Sequence, residues 1–284
     1  MRVLVLGATG MLGNAVFRVF AQSKNHEVIG TARSKSACEY FTKSEQTQIL
    51  QGIDVGDSDS LVTAFAQSSP DVVINCIGLV KQLAESYDPL LTVPINTLLP
   101  HRLAKLCQVR GARLVHVSTD CVFSGKKGGY LESDFPDADD LYGRTKLLGE
   151  VDYPNAITLR TSIIGHELSG NRSLINWFLS QEASVKGFTK AVFSGLPTVV
   201  LARIIKDYVL LKPALHGLFH VAAAPINKYE LLRQVADVYG KKIDIVPNDS
   251  LVIDRSLNSE KFNAAFDYSP PKWPELINEM YQFK

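Results

Sequence analysis

Short apolar runs alternate with longer amphipathic segments over the first two thirds of the chain. The first apolar run, Arg2–Leu6, predicts a strand buried on both faces, and the amphipathic segment Gly13–Gln22 predicts a helix. The same alternation predicts strands at 27–31, 71–76, 113–118 and 156–160 and helices at 61–67, 96–109 and 142–150. Strands that are apolar on both faces and separated by helices indicate an α/β fold, with a parallel sheet covered by helices on each side.

Beyond about residue 160 the pattern becomes less regular. Glycine, asparagine and serine cluster at 165–173, and a strand is predicted at 218–221. Helical periodicity returns at 174–179, 201–210 and 228–239. The second part of the chain is therefore expected to be a smaller unit that packs against the sheet.

The change of pattern predicts two units. A dinucleotide-binding domain is expected over 1–165 and about 196–225, and a smaller C-terminal substrate-binding lobe over 166–195 and 226–284. Three prolines between 270 and 274 predict an irregular tail docked against the rest.

A glycine-rich turn joins the first predicted strand to the first predicted helix. Gly7 permits a tight turn, Gly10 lets the backbone approach a pyrophosphate, and Gly13 lets the helix pack closely on the strand. The helix N-terminus then offers free amides to an anion. This context predicts a Rossmann-type doubly wound sheet with a dinucleotide on the turn. The intervening residues expected to line the cofactor are Thr9, Met11 and Leu12.

The residues after the second strand bear on the choice of cofactor. NAD sites usually carry an acidic residue there, which binds the ribose 2′-hydroxyl. This chain has Arg33 and Ser34 instead, and a guanidinium suits a 2′-phosphate. The sequence therefore favours NADP(H) over NAD(H). Further along, Asp54 and Val55 are candidates to contact the adenine.

Tyr142 and Lys146 form a candidate catalytic pair. Side chains four residues apart share one face of a helix. A tyrosine has a pKa near 10, and a neighbouring ammonium is expected to lower that pKa and to bind the nicotinamide ribose. Thr119, at the end of a predicted strand, is the expected hydroxyl that holds the substrate oxygen.

These residues resemble the extended short-chain dehydrogenase/reductase superfamily and, within it, the dTDP-4-dehydrorhamnose reductase family. The resemblance covers nearly the whole chain. The segments that carry it are Asn75–Gly78, Ser118–Gly125, Tyr142–Glu150, Leu159–Ser162 and Gly195–Thr198.

The resemblance implies a reductase that acts on a nucleotide-linked 4-keto-6-deoxy sugar. The hydride would come from the nicotinamide and the proton from Tyr142, while Thr119 polarises the carbonyl and Lys146 positions the cofactor. The cofactor cleft would be lined by Cys76, Ile77 and Gly78, with Asn96 opening the next helix. The expected substrate-binding residues are Val80, Cys121, Val122, Phe123, Asn171 and Arg255.

Two positions depart from the family pattern and leave the sugar open. Cys121 stands where the reductases usually have a tyrosine, and Ile163 stands where they have a tryptophan. Related dehydratases have a glutamate after the aspartate that corresponds to Asp120, and its absence argues against dehydration.

Two other functions remain open. Fucose-type epimerase/reductases carry a cysteine at the place of Cys121, where a thiol with a pKa near neutral would exchange a proton beside the keto carbon. The same cysteine is also interpretable as a small apolar filler. Relatives such as the regulatory subunit of methionine adenosyltransferase keep the fold and the cofactor site but act as binding partners.

Composition limits the remaining possibilities. The 284 residues have a net charge of +1, from 30 basic and 29 acidic residues, so nucleic acid is not an expected partner. No apolar run reaches the roughly 20 residues of a membrane span, and no membrane contact is expected. Four widely spaced cysteines predict neither a metal site nor disulfides and favour a reducing, cytoplasmic location. The family resemblance implies a homodimer.

Overall fold

The computed structural model of the protein describes residues 1–81 and 84–283. Its strands are β1 (Arg2–Leu6), β2 (Glu27–Ala32), β3 (Ile49–Gln51), β4 (Val72–Asn75), β5 (Arg113–Thr119), β6 (Ala156–Thr161), β7 (Ile163–Ile164), β8 (Val185–Phe188), β9 (Ala191–Phe193), β10 (Leu196–Pro197), β11 (Gly217–His220), β12 (Ile226–Asn227), β13 (Ile245–Asn248) and β14 (Ile253–Asp254).

Helices connect these strands. They are α1 (Met11–Ala21), α2 (Lys43–Gln46), α3 (Ser58–Ser68), α4 (Pro89–Thr92), α5 (Leu99–Arg110), α6 (Leu141–Leu148), α7 (Leu174–Ser180), α8 (Thr198–Ile204), α9 (Lys228–Tyr239), α10 (Glu260–Phe266) and α11 (Trp273–Gln282).

Seven strands form one parallel sheet in the order β11-β6-β5-β4-β1-β2-β3. The strand order reverses between β1 and β4, and ligands of such sheets bind at the carboxyl ends of the strands near this point. The Rossmann-type, doubly wound α/β fold predicted from the sequence is therefore confirmed.

The two faces of the sheet carry separate apolar layers, because consecutive strand residues point to opposite sides. In β1, Val3 and Val5 pack in the layer that contains α1 and α8. Leu4 and Leu6 pack in the layer that contains α3 and α5. Burial on both faces explains why β1 is apolar at every position after its first residue.

The C-terminal tail differs from the sequence prediction. It forms the helix α11, so the expected irregular tail is wrong. Pro274 lies in the first turn of α11, where its missing N–H costs no helical hydrogen bond. An apolar stripe of Trp273, Leu276, Ile277 and Met280 is buried against the protein.

The segments outside the large sheet form three small sheets. β10 pairs with β7, β12 and β14 flank β9, and β13 pairs with β8. The division into a domain over 1–165 and 196–225 and a lobe over 166–195 and 226–284 stays a prediction, although β11 lies in the large sheet as that division requires. Among the described helices, none combines the length and the apolar character needed to span a bilayer.

The burial of α11 leads to a test of whether the C-terminal segment is a helix packed against the rest of the protein. Leu276→Ala removes a side chain that is 0% exposed and should lower the free energy of unfolding by about 2–5 kcal/mol. Leu211→Ala, at a leucine that is 72% exposed, is the control and should change it by less than about 0.5 kcal/mol. Urea denaturation measures both, and equal small effects would contradict a docked α11.

Candidate active site

The glycine turn between β1 and α1 brings two stretches of backbone into close contact. Gly7 has a φ of +80°, which L side chains rarely adopt. A Cβ on Gly13 would lie 1.9 Å from the carbonyl oxygen of Gly7, so only glycine fits there. Thr31 on β2 holds the turn, because its hydroxyl accepts a hydrogen bond from the Gly7 amide at 3.1 Å. Gly10 begins α1 without a side-chain cap, which leaves the first amides of the helix available to an anion.

Asn96 shapes the loop that follows β4. It lies in a π-helical turn, Val93–Leu98, rather than at the start of α5 as predicted. Its side-chain amide is buried and binds both backbone groups of Leu79, accepting from the N–H at 2.9 Å and donating to the carbonyl at 3.0 Å. A Cβ on the neighbouring Gly78 would lie 3.4 Å from the amide oxygen. Asn96 therefore fixes the loop and does not itself line the cleft.

Thr119, Tyr142 and Lys146 lie together at the carboxyl end of β5. Thr119 ends the strand, and the other two residues lie one turn apart on α6, whose N-terminus is capped by Asp140. Tyr142 lies close enough to Thr119 for the threonine hydroxyl to affect the pKa of the phenol. The ammonium of Lys146, which is 4% exposed, donates to the carbonyl oxygen of Val117 at 2.8 Å.

Burial dominates the electrostatics of this group. It raises the pKa of Tyr142 above its ordinary value of 10, and the neighbouring Cys121 raises it further, while the Thr119 hydroxyl opposes the change. Burial also lowers the pKa of Lys146 to about 8. The negative charge of Glu150 acts in the other direction and raises this pKa. The expected lowering of the tyrosine pKa is therefore wrong for this structure. At neutral pH the phenol of Tyr142 keeps its proton.

Cys121 and Asp120 continue the polar chain beyond Thr119. The Thr119 hydroxyl accepts from the Cys121 amide at 3.1 Å and donates to the carboxyl of Asp120 at 3.2 Å. Burial raises the pKa of Asp120. Burial first, and then Asp120, raise the pKa of the Cys121 thiol to about 12. Cys121 is a protonated thiol at neutral pH, with a guanidinium nitrogen of Arg255 3.8 Å from its sulfur.

One cleft of about 630 Å³ joins the glycine turn to these residues. Thr119, Tyr142 and Lys146 all line it. The other predicted site residues that line it are Gly10, Met11, Leu12, Cys76, Ile77, Gly78, Val80, Cys121 and Arg255.

Val122 and Phe123 lie elsewhere than predicted. Both side chains are 0% exposed, because a short 3-10 turn after β5 directs them into a separate apolar cluster. The ring of Phe123 stacks on Tyr130 with 4.0 Å between centroids. The carbonyl oxygen of Phe123 accepts a hydrogen bond from the Arg255 side chain at 2.9 Å. The prediction that these two side chains bind substrate is therefore wrong.

Asn171 also lies outside the cleft lining. It is exposed, whereas the adjacent Arg172 and Ser173 line the cleft. Substrate binding by Asn171 therefore stays a prediction. Of the glycine-turn residues, those that shape the turn without lining the cleft are Gly7, Thr9 and Gly13.

The residues expected at the adenosine end surround the carboxyl ends of β2 and β3. Arg33 and Ser34 are exposed immediately after β2. Asp54 is exposed, and its carboxylate accepts from the Gly56 amide at 2.9 Å. Val55 is 5% exposed and packs in the apolar layer with α3.

Sequence reasoning missed several cleft residues, of which Lys228 is the most informative. It is the first residue of α9, half-buried, and has no hydrogen-bond or ion-pair partner among the described residues. Arg172 and Lys228 add positive charge to the cleft beside Arg255. A helix start after Asn227 was visible in the sequence, but nothing local shows that this helix begins at the cleft. The other missed lining residues include Lys81, Ser162 and Glu167, and the cleft is also lined by Asp120 and by Ile163, at the position where the family usually has a tryptophan.

A glycine turn at the first strand, a strand-end threonine and a tyrosine–lysine pair on one cleft define the class of this protein. It is an extended short-chain dehydrogenase/reductase. More closely, the chain belongs to the family described as the RmlD substrate binding domain, which matches residues 1–283.

The chain is similar to a subunit of methionine adenosyltransferase and to two reductases, among other proteins. The chain is 30% identical over 260 residues to methionine adenosyltransferase 2 subunit beta of Pongo abelii, covering 84% of this chain and 72% of that protein. It is 28% identical over 272 residues to a probable low-salt glycan biosynthesis reductase of Haloferax volcanii, covering 92% and 85%. A dTDP-4-dehydrorhamnose reductase of Bacillus anthracis, solved with NADP, shares the fold with a TM-score of 0.80 at 19% identity, over 100% of this chain and 99% of that one.

The close contact in the glycine turn generates a stability prediction. Gly13→Ala places a methyl group against the Gly7 carbonyl and should lower the melting temperature by several degrees, corresponding to about 1–3 kcal/mol. Gly10→Ala is the matched control, because its Cβ would lie 3.4 Å from the same oxygen. Calorimetry should show a near-normal melting temperature for Gly10→Ala; a similar loss in both variants would contradict this packing.

Proposed function

We propose that the protein is an NADP(H)-dependent reductase of a nucleotide-linked 4-keto-6-deoxy sugar. The observation that supports this most directly is the protonated phenol of Tyr142, which lies beside Thr119 on the cleft wall. Reduction of a carbonyl to an alcohol requires one hydride and one proton. A neutral phenol beside a second hydroxyl is a suitable proton donor for that reaction.

The described residues divide the work of the reaction. A bound nicotinamide cofactor supplies the hydride. The Thr119 hydroxyl, which donates to Asp120 in this structure, would turn to donate to the substrate carbonyl oxygen, which gains negative charge as the hydride arrives. Tyr142 then delivers its proton to that oxygen. Lys146, fixed by the Val117 carbonyl, adds positive charge beneath the same position.

The glycine turn fits a dinucleotide. The contact between Gly7 and Gly13 leaves no side chain between the turn and α1, and the uncapped first amides of the helix suit a pyrophosphate. Arg33 is exposed after β2 and makes no ion pair among the described residues, so its guanidinium is free to bind a 2′-phosphate. The Bacillus anthracis reductase, solved with NADP, supports the same cofactor.

The far side of the cleft suits an anionic substrate. Arg172, Lys228 and Arg255 line it, while Glu167 and Asp120 are the acids described there. Burial raises the pKa of Asp120 and so reduces its negative charge. The excess of positive charge fits the diphosphate of a nucleotide sugar.

A binding role is the second candidate, and the 30% identity to methionine adenosyltransferase 2 subunit beta supports it. In that case the chain would be a non-catalytic NADP-binding regulatory subunit. Epimerisation through Cys121 is less favoured, because a thiol with a pKa of about 12 is a poor base at neutral pH. A homodimer and a cytoplasmic location remain predictions.

The proposed reaction predicts a strong effect of Tyr142→Phe. A thermal-shift screen of nucleotide sugars with NADPH first identifies the ligand that raises the melting temperature. With that ligand, Tyr142→Phe should lower NADPH oxidation by about 100-fold or more, since the proton donor is lost, and should leave cofactor affinity nearly intact.

Tyr153→Phe is the matched control for this test. Its hydroxyl lies 3.0 Å from a ring nitrogen of His101 on α5, and neither residue lines the cleft. Turnover should therefore stay close to that of the unmodified protein. Full activity in Tyr142→Phe would contradict the mechanism. No turnover with any nucleotide sugar, together with a tightly bound protein partner, would favour the regulatory role.

The cofactor preference predicts an asymmetric effect of Arg33→Ala. Loss of a charged hydrogen bond to the 2′-phosphate should weaken NADPH binding by about 10-fold or more and should leave NADH binding nearly unchanged. Lys35→Ala, at an exposed cation two residues away, should affect neither. Fluorescence titration measures the affinities, and equal losses for both cofactors would rule out this role for Arg33.

A further inference from the structure

A buried ionic cluster lies behind the catalytic residues, and none of the roles above uses it. Arg160 on β6 is 1% exposed and binds the carboxylate of Glu150 through two nitrogens, at 2.9 and 2.5 Å. A third nitrogen of Arg160 lies 3.0 Å from Nε2 of His220 on β11. Nδ1 of His220 is 3.0 Å from the carbonyl oxygen of Tyr130. Arg160 can only donate and the carbonyl can only accept, so this imidazole is neutral with its proton on Nδ1.

The cluster reaches the catalytic centre through β5. The hydroxyl of Ser118 donates to Glu150 at 2.7 Å, and the ammonium of Lys146 donates to the carbonyl of Val117 at 2.8 Å. Val117 and Ser118, which are consecutive on β5, are thus held by Lys146 on α6 and by Glu150 just beyond the end of that helix. Thr119 follows immediately, so the same contacts decide where its hydroxyl lies.

Stability alone does not account for this arrangement. A buried ion pair repays its desolvation poorly, and well-packed apolar residues of similar volume would often stabilise a fold as much. The cluster, however, holds a carboxylate near enough to the buried Lys146 for its charge to raise the pKa of that lysine. That location gives the carboxylate an electrostatic role.

We propose that Glu150 is a positioning residue: held by Arg160 and Ser118, it fixes the end of β5 against α6 and supplies the negative charge that balances the ammonium of Lys146. Glu150 touches neither cofactor nor substrate in this role and acts through Lys146. The assignment rests on the proposed function only in that Lys146 serves the cofactor and the proton donor.

Among the described residues, few titratable groups lie near Lys146. Tyr142 on α6 is neutral, and Glu150, two residues after the end of α6, is the group whose charge raises the pKa of the lysine. On β5, His116 is buried next to Lys146, and burial holds its pKa well below the ordinary value, so it is neutral. On β6, Arg160 is already paired with Glu150. Removing the carboxylate charge therefore lowers a lysine pKa that is already only about 8.

The test measures the lysine directly. In Glu150→Gln, the apparent pKa of Lys146 should fall by about one unit, because an opposing charge nearby is worth that much or more. The rate of carbamylation of Lys146 by cyanate, followed by mass spectrometry over a pH series, reports this pKa without any substrate. Asp71→Asn is the matched control: that carboxylate also binds an arginine, Arg2, but at the opposite end of the sheet, and the Lys146 profile should not change.

A second variant covers the case in which Glu150→Gln does not fold. Glu150→Gln with Arg160→Met removes both charges together, and the pKa of Lys146 should fall by a smaller amount, because a cation is also lost. An unchanged Lys146 profile in a folded variant overturns the proposal. Where turnover is measurable, the alkaline limb of kcat/KM should move to lower pH in Glu150→Gln; a lysine shift without any turnover would support the positioning role and count against the reductase.

Discussion

The carboxyl end of β5 is held against α6 by side chains, and the geometry of the site depends on this contact. A parallel sheet places the ends of its strands along one edge, but it does not fix the strand-end residues relative to the helices above. Here the carbonyl of Val117 accepts from Lys146 and the hydroxyl of Ser118 donates to Glu150. Because Thr119 comes next, its hydroxyl is brought to Tyr142 on the same helix. The threonine, tyrosine and lysine therefore form one unit rather than three separate side chains.

Burial of this unit then sets its chemistry. The phenol of Tyr142 and the ammonium of Lys146 respond in opposite directions, since burial disfavours the charged form of each. The tyrosine holds its proton more firmly, and the lysine holds its proton less firmly, with a pKa of about 8. The phenol therefore carries its proton at neutral pH, and the substrate oxygen becomes basic enough to accept that proton as the hydride arrives. The same effect raises the pKa of Cys121 to about 12, so its thiol is protonated at neutral pH.

The sequence predicted those features that depend on local pattern. The sheet, the glycine turn and the spacing of Tyr142 and Lys146 all follow from residues close together in the chain. What failed depends on distant contacts or on orientation. The three residues of β3 are too few for a periodicity, and the proline in the first turn of α11 is compatible with a helix only because Leu276 and its neighbours find a surface to cover. The inward direction of Phe123 depends on Tyr130, and the ionic cluster joins Glu150 to strands that follow it by 10 and 70 residues.

The relatives of this chain include both a reductase and a regulatory subunit, so the family alone does not choose between them. A protein that only binds a dinucleotide needs the glycine turn and the cations of the cleft. A lysine that binds the nicotinamide ribose serves either role, although the charge of Lys146 at neutral pH costs about 3 kcal/mol of folding free energy when its pKa falls from 10.5 to about 8. A protein that only binds a dinucleotide does not need a neutral phenol beside a strand-end hydroxyl on the cleft wall. That pairing is useful where a proton is transferred to a substrate oxygen, so the physical chemistry of the site favours the reductase.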